Sequence, residues 1–245
     1  MNTHSPTLWR RGLAEALGTC LLVAIVVGSG IAAQQLSPGD VGLQLLQNST
    51  ATVLGLTVLI LIFGPISGAH FNPVVSLVDW ILGRRVGNGL SLKELGIYVA
   101  SQTVGAIGGS VLANAMFEVG TSMSSKERAS PGPLLGEIVA TAGLVLLIFS
   151  LAATKRSSLA APAVGAYIGA AYWFTSSTSF ANPAVTVGRI FSDTFAGIAP
   201  GSVPGFVAAQ LIGAGVGFGL LVALFTPGSR AAEDVVVPYT VDRPA

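Results

Sequence analysis

Two short stretches decide how this chain is built: Ser67-Gly68-Ala69-His70-Phe71-Asn72-Pro73-Val74 and Phe180-Ala181-Asn182-Pro183-Ala184. Each places Asn-Pro at the head of an apolar run too short to cross a bilayer, Pro73 to Leu82 and Pro183 to Phe191. Ten residues of helix rise about 15 Å, half of a hydrocarbon core of about 30 Å. Asn is a favoured N-cap and Pro a favoured first helical residue, so each box predicts a half-helix. An isolated Asn-Pro is more often a surface turn. With 6 Asn and 13 Pro in 245 residues, chance supplies about 0.3 such pairs. Two pairs at matching places in a repeated apolar chain are not explained as turns.

The surroundings are a membrane protein. Apolar residues make up 51% and charged residues 9%, against about 25% charged in a soluble domain. This excludes a water-soluble globular protein, a disordered chain and a nucleic-acid binder, which needs a basic surface. The single cysteine, Cys20, cannot form an intramolecular disulfide, and no Cys/His metal-ligand spacing occurs. It reads as a small buried hydrophobe. Six stretches are long enough to span, over 9–33, 47–66, 96–117, 133–153, 159–176 and 204–226. The first is too long for a signal-peptide core and lacks a cleavage pattern. Glycines 105, 108, 109, 213, 215, 217 and 219 are expected to let helices cross closely.

The halves repeat. Ala14-Glu15-Ala16-Leu17-Gly18-Thr19 matches Gly136-Glu137-Ile138-Val139-Ala140-Thr141, and Ala100-Ser101-Gln102-Thr103-Val104-Gly105 matches Ala208-Ala209-Gln210-Leu211-Ile212-Gly213. Three spans per half is an odd number, so the second half inserts upside down. The half-helices then enter from opposite faces and meet near the midplane. There Asn72 and Asn182 cap with their side-chain oxygens, and both donors of each NH2 are expected to face the axis. Two half-helix N-termini add positive partial charge. Such a site repels cations and protons and admits neutral molecules with lone pairs.

Orientation follows the Lys/Arg bias. Arg10, Arg11, Arg84, Arg85, Lys93, Lys155, Arg156, Arg230 and Arg243 fall on one side. Lys126, Arg128 and Arg189 fall on the other. Both termini are therefore expected in the cytoplasm. The connection Gln34–Leu46 and the segment Gly120–Gly132 would then face outward. Residues 1–226 read as one channel domain, with repeats over 8–118 and 133–226, and 227–245 as a disordered cytoplasmic tail.

At these residues the chain resembles the aquaporin, or major intrinsic protein, family, over Trp9 to Phe225. The motifs Ala14–Thr19, Ser67–Val74 and Phe180–Ala184 carry the resemblance. It implies an all-α membrane fold of six tilted helices plus two re-entrant half-helices, with one pore per monomer. It also implies a homotetramer in the plasma or inner membrane, and passive permeation of water or small uncharged solutes without a cofactor. By spacing from the Asn residues, Thr52 matches the second-helix filter position, where many members carry a large aromatic. Ser179 matches a loop position. Ala170, Tyr172 and Trp173 are candidates for the fifth-helix position. Val185 stands where an Arg usually follows the second Asn-Pro-Ala. Arg189 lies four residues on, on the same helix face, and either reaches back to the pore or anchors at the headgroups. Val74 replaces a commoner Ala in the first box. Members with Val in the Arg position resemble this chain and are thought to carry metalloid hydroxides such as arsenous acid. Polyols, urea and ammonia are the other candidates.

Glu15 and Glu137 are intramembrane carboxylates, which are costly and usually functional or paired. The resemblance makes them scaffold that accepts N–H groups of the re-entrant loops. Gln102 and Gln210 read as interhelical hydrogen-bonding residues. His70 is placed at the cytoplasmic mouth, as a satisfied loop histidine or a pH gate. Asp79 and Asp193 read as loop-stabilising or solvated. The competing class is a secondary transporter, since inverted repeats and broken helices also build those. An intramembrane enzyme fails for want of a nucleophile–base set.

Overall fold

The structure is a computed structural model that describes residues 6–86 and 89–225. Every regular element among them is helical: α1 Leu8–Leu36, α2 Val41–Ser67, α3 Pro73–Val86, α4 Leu92–Met116, α5 Pro131–Ala153, α6 Ala160–Phe174, α7 Pro183–Gly188 and α8 Val203–Leu224. Short 3-10 turns occupy Ser157–Leu159, Arg189–Phe191 and Pro200–Ser202. The expected tail over 227–245 lies outside the described residues, as do His4, Arg230 and Arg243.

Five helices are long and apolar enough to cross a membrane: α1, α2, α4, α5 and α8. The sixth expected span, 159–176, is shorter than the sequence suggested. Helix α6 has 15 residues, about 22 Å. The preceding 3-10 turn of three residues adds about 6 Å, which brings the pair close to a hydrocarbon thickness. Helix α2 begins at Val41 rather than 47, because the Asp40 carboxylate caps it by accepting from the Leu43 N–H at 2.9 Å. The first half-helix runs on to Val86. The second stops at Gly188 and tightens into its 3-10 turn.

Six crossings put the start of α1 and the end of α8 on one face, called here the terminal face. The other is the opposing face. After α2 the chain turns inward and returns as α3 to the terminal face. After α6 it turns inward again and returns as α7 to the opposing face. Residues 69, 71, 179 and 181 take positive φ, between 46° and 50°. The two inward turns thus share a left-handed geometry at matching places.

The repeat is visible in the packing. Helix α1 lies on α4, and α5 lies on α8. A Cβ at Gly105 would sit 2.2 Å from the Ala16 carbonyl oxygen, and one at Gly213 would sit 2.5 Å from that of Ile138. Only glycine permits that approach. Gly109 and Gly217 repeat the contact one turn on, against Cys20 and Ala142. Four expectations need correction. Gly215 and Gly219 have nothing within 4 Å where a Cβ would project, and Gly108 meets only the Cys20 sulfur at 3.8 Å. Cys20 itself is half-buried rather than enclosed.

Candidate functional site: a lumen between two half-helices

The Asn-Pro pairs sit where the two inward turns meet. Asn72 Oδ1 accepts from the Val74 N–H at 3.1 Å. Asn182 Oδ1 accepts from Ala184 and Val185 at 3.0 and 3.2 Å. Pro73 and Pro183 open the half-helices that follow. The amide groups are not wholly free. Asn72 Nδ2 donates to the Ala181 carbonyl and Asn182 Nδ2 to the Phe71 carbonyl, both at 2.7 Å. One donor of each NH2 is therefore spent on the opposite loop, and one remains for the lumen. The cause is the backbone: a carbonyl exposed by a non-helical turn at membrane depth needs a donor. Val74 and Ala184 are buried and do not line the lumen. Val74 faces an apolar cleft on α4 and α8, shared with Pro73 and Pro183.

Buried side chains hold the turns from behind. Glu15 accepts from the Ser67 hydroxyl at 2.6 Å, from the His70 and Phe71 N–H groups at 3.0 and 2.7 Å, and from Gln102 Nε2 at 2.8 Å. Glu137 accepts from the Phe180 and Ala181 N–H groups, both at 2.8 Å, and from Gln210 Nε2 at 2.6 Å. Each glutamine also donates to the half-helix hydroxyl beside it, Ser76 for Gln102 and Thr186 for Gln210. Both carboxylates are fully buried and occupied by loop donors, so neither faces the lumen as a free ion.

The lumen has one greasy wall and one polar stripe. Leu22, Val26, Leu56, Ile60, Leu144, Ile148, Val164 and Ile168 supply the apolar lining, while His70, Asn72, Asn182 and Ser179 supply polar groups. About 60 Å³ is open to the centres of water-sized molecules, enough for a short file of waters. His70 lies on the terminal-face side of Asn72. Its Nδ1 is 3.0 Å from the Ser76 hydroxyl, its ring meets Tyr98 edge-on, and its Nε2 is buried without a protein partner.

The opposing end of the lumen gathers most of the remaining candidates. Thr52, Tyr172, Ser179, Val185 and Arg189 all line it. The Thr52 and Tyr172 hydroxyls lie 3.2 Å apart, so the aromatic comes from α6 rather than α2. Helices α2 and α6 pack antiparallel through Gly165 and Gly169 against Thr57 and Val53. In that pairing Val164 and Ile60 are the counterparts of Thr52 and Tyr172 at the other end, and both are apolar. Ala170 and Trp173 do not line the lumen. Both are exposed on α6, and Trp173 Nε1 donates instead to the Ser49 hydroxyl at 3.2 Å. The helical turn that puts Tyr172 inward turns these two outward.

Arg189 is 3% exposed. Its Nε donates to the Ala196 carbonyl and its guanidinium carbon lies 3.5 Å from the centre of the Phe180 ring. It points inward rather than out to the headgroups. Beyond it lies the loop between α4 and α5. There Asp193 accepts from the Ser125 N–H and hydroxyl, which hold its carboxyl below the usual range. Lys126 is lowered to about 8 by desolvation of its ammonium and by the Arg128 and Arg189 charges, with Asp193 opposing. Asp79 accepts from the Leu90 N–H at 3.0 Å and ties down the segment after α3.

Several contributors escaped the sequence reading. Tyr98 donates to the Ser67 carbonyl at 2.7 Å, and Arg11 pairs with Glu94 at 2.6 Å. Phe180 is the platform for Arg189. Nothing in residue spacing marks these pairings, because their partners are more than 30 residues away or on another turn of chain. The inverted repeat was the available signal: His70 and Phe180 hold the same place in their loops, each with an aromatic, Tyr98 or Phe206, against it.

The model of the family described as "Major intrinsic protein" matches residues 2–180. The chain is 51% identical to "Aquaglyceroporin AqpS" of Rhizobium meliloti over 222 residues, covering 90% of this chain and 92% of that one. It is 32% identical to a "Probable aquaporin TIP-type" of Medicago truncatula over 76% of each. The X-ray structure of the aquaglyceroporin from Plasmodium falciparum shares the fold, with a TM-score of 0.64 at 20% identity, covering 89% of this chain and 97% of that one. With the paired Asn-Pro turns, the six crossings and the lumen between them, these likenesses establish that the chain belongs to the major intrinsic protein family.

Proposed function

We propose that this chain is a passive channel for water and small uncharged solutes such as polyols, urea and neutral metalloid hydroxides, closed to protons and ions. The observation that carries the reading is the lumen itself. Two amide donors, from Asn72 and Asn182, face its middle, and no titrating carboxylate replaces them. A molecule passing there accepts from both and turns its own hydrogens to the walls, which interrupts a proton wire. The resemblance to a relative named an aquaglyceroporin supports the glycerol-sized end of the range.

The filter is assigned to Thr52, Tyr172, Ser179, Val185 and Arg189. Val185 offers no hydrogen bond and takes up less volume than an Arg, so the opening is wider and greasier than one with a guanidinium at that position. Arg189 restores a cation from one turn further along. Metalloid hydroxides belong to the substrate class because they are neutral, compact and rich in lone pairs. The terminal face is assigned to the cytoplasm on the Lys/Arg bias. The assembly is assigned as a homotetramer in the plasma or inner membrane, with residues 1–226 as one channel domain. Members of this family are channels, and no chemical step is assigned to this chain.

Stopped-flow light scattering on proteoliposomes tests the reading, with water, glycerol, urea and arsenous acid as permeants and a proton-sensitive dye inside. Facilitated, non-saturating flux of neutral solutes without proton flux is expected. Saturable uptake that depends on a gradient would assign the chain to secondary transport instead.

A further inference from the structure

We propose that Arg128 and Phe180 are positioning residues for solute selection: they hold the Arg189 guanidinium at the opposing end of the lumen and so set the size of neutral solute that passes. The proposal rests on the assignment of Arg189 to the filter.

Arg189 starts from the 3-10 turn after α7, one turn beyond Val185. A long cation there has many rotamers to lose. Two contacts remove that freedom. Nε donates to the Ala196 carbonyl, and the guanidinium carbon sits over the Phe180 ring, 3.5 Å from its centre. Phe180 is itself fixed by an edge contact with Phe206, with centroids 5.2 Å apart. What remains are the two terminal amino groups. They have no protein acceptor among the described residues and belong to a side chain that lines the lumen.

Arg128 arrives from a different loop and grips the same parts. Its Nε donates to the Gly197 carbonyl at 2.7 Å and its terminal nitrogen to the Phe195 carbonyl at 3.0 Å. These two carbonyls flank the one that holds Arg189. The Arg128 guanidinium carbon also lies 5.3 Å from the Phe180 ring centre. Lys126 adds a second donor to the Phe195 carbonyl at 3.0 Å. A planar fork bridges two carbonyls in fixed geometry, and a single ammonium does not. The direction of the Ala196 carbonyl, and with it the place of Arg189, is therefore set from the loop between α4 and α5.

The charge pattern points the same way. Among the described residues no carboxylate oxygen lies within ion-pair reach of either guanidinium. Two acids in these loops are committed elsewhere, Glu127 to the Ser202 hydroxyl and Asp193 to Ser125. A strap built only for strength would pair its arginines with those acids. This one spends them on neutral groups and leaves the cations to carbonyls, to one aromatic ring and, through Arg189, to the lumen.

The test is the glycerol-to-water permeability ratio in proteoliposomes, measured with thermal unfolding in detergent for Arg189→Ala, Arg128→Gln, Phe180→Leu and the two doubles with Arg189→Ala. Arg189→Ala is expected to raise the ratio. Arg128→Gln and Phe180→Leu are each expected to raise it by about threefold or more, and neither adds to it once Arg189 is gone, as coupled contacts behave. If Arg128→Gln does not fold, Arg128→Lys, which keeps the charge and one donor, must fall between wild type and Arg189→Ala. A ratio that moves in Arg189→Ala but in neither Arg128→Gln nor Phe180→Leu overturns the proposal and leaves the filter intact. Effects that add in the doubles, or a lowered melting temperature with an unchanged ratio, also overturn it. An unchanged ratio in Arg189→Ala overturns the filter assignment itself.

Discussion

Asp79 and Arg189, an acid and a base, hold the same place in the two half-helices. The register is fixed by Asn72 and Asn182 and by the hydroxyls of Ser76 and Thr186, each bonded back to its own asparagine carbonyl. Both side chains tie down the segment that follows their half-helix, Asp79 through the Leu90 N–H and Arg189 through the Ala196 carbonyl. They differ in reach. Only Arg189 is long enough to touch the lumen. One mouth of a nearly symmetric pore thereby gains a cation that the other lacks.

That asymmetry makes Val185 the place to narrow the pore. Val185 lines the lumen in the first turn of α7. A second guanidinium there takes volume beside Arg189, where charge is poorly screened. Val185→Arg is expected to cut glycerol and arsenous acid permeability much more than water permeability. Paired measurements on one proteoliposome preparation check this, and an unchanged solute-to-water ratio would falsify the placement of the filter.

The carboxylates govern folding. In Glu137→Gln the new NH2 must face either the Phe180 or the Ala181 N–H, or displace the Gln210 donor. A buried donor left without an acceptor costs about 1–3 kcal/mol. Glu15→Gln carries the same cost at His70 and Phe71. Both variants are expected to melt earlier in detergent, while the fraction that folds keeps its solute-to-water ratio. Wild-type stability with altered permeation in either would remove the scaffold assignment.

Asn182→Asp acts on two levels. The carboxylate still caps α7 but has no donor for the Phe71 carbonyl. It also brings negative charge to the middle of the lumen. Lower thermal stability and a measurable proton leak are expected together, read by unfolding in detergent and by a pH dye inside vesicles. A leak-free variant of unchanged stability would show that the amide donors are not what bars the proton.

Lys126 supplies a pH dependence outside the membrane. Its ammonium is lowered from 10.5 to about 8 in the folded protein. Between these values the unfolded chain binds more protons at this site than the folded one, so stability rises with pH across that window. Below about 8 both states are protonated and the group adds no slope. Wild type is expected to gain melting temperature relative to Lys126→Met between pH 7.5 and 9.5. Parallel curves for the two proteins would show that Lys126 titrates normally.

Much of this architecture was legible because the membrane allows few solutions. The apolar runs, the odd parity of the repeat and the Asn-Pro pairs each have one physical reading at that depth, and the helices follow them. What was illegible depended on pairing across loops. Spacing did not tell Tyr172 from Ala170 and Trp173, since the shortened α6 shifts the register by which positions are counted. Nor did it reveal that each asparagine spends a donor on the opposite turn, because the Phe71 and Ala181 carbonyls have no signature in sequence. The inward course of Arg189 depends on Phe180 and Ala196, one from the loop before the half-helix and one from the loop after it.

The exchange of bonds between the two asparagines and the opposite turns has a consequence for biosynthesis. Asn72 waits for the Ala181 carbonyl, and the Phe71 carbonyl waits for Asn182. A ribosome adding about 5–20 residues per second needs about 5–20 s to make the chain between them. Through that interval the first inward turn holds an unanswered carbonyl at membrane depth, and its half-helix has no counterpart to lean on. The first half therefore emerges as an unfinished piece, open to water or to whatever accompanies it into the bilayer. The pore comes into being only when the last quarter of the chain arrives, and a nascent chain halted before Asn182 carries six of the eight helices α1–α8 but no channel at all.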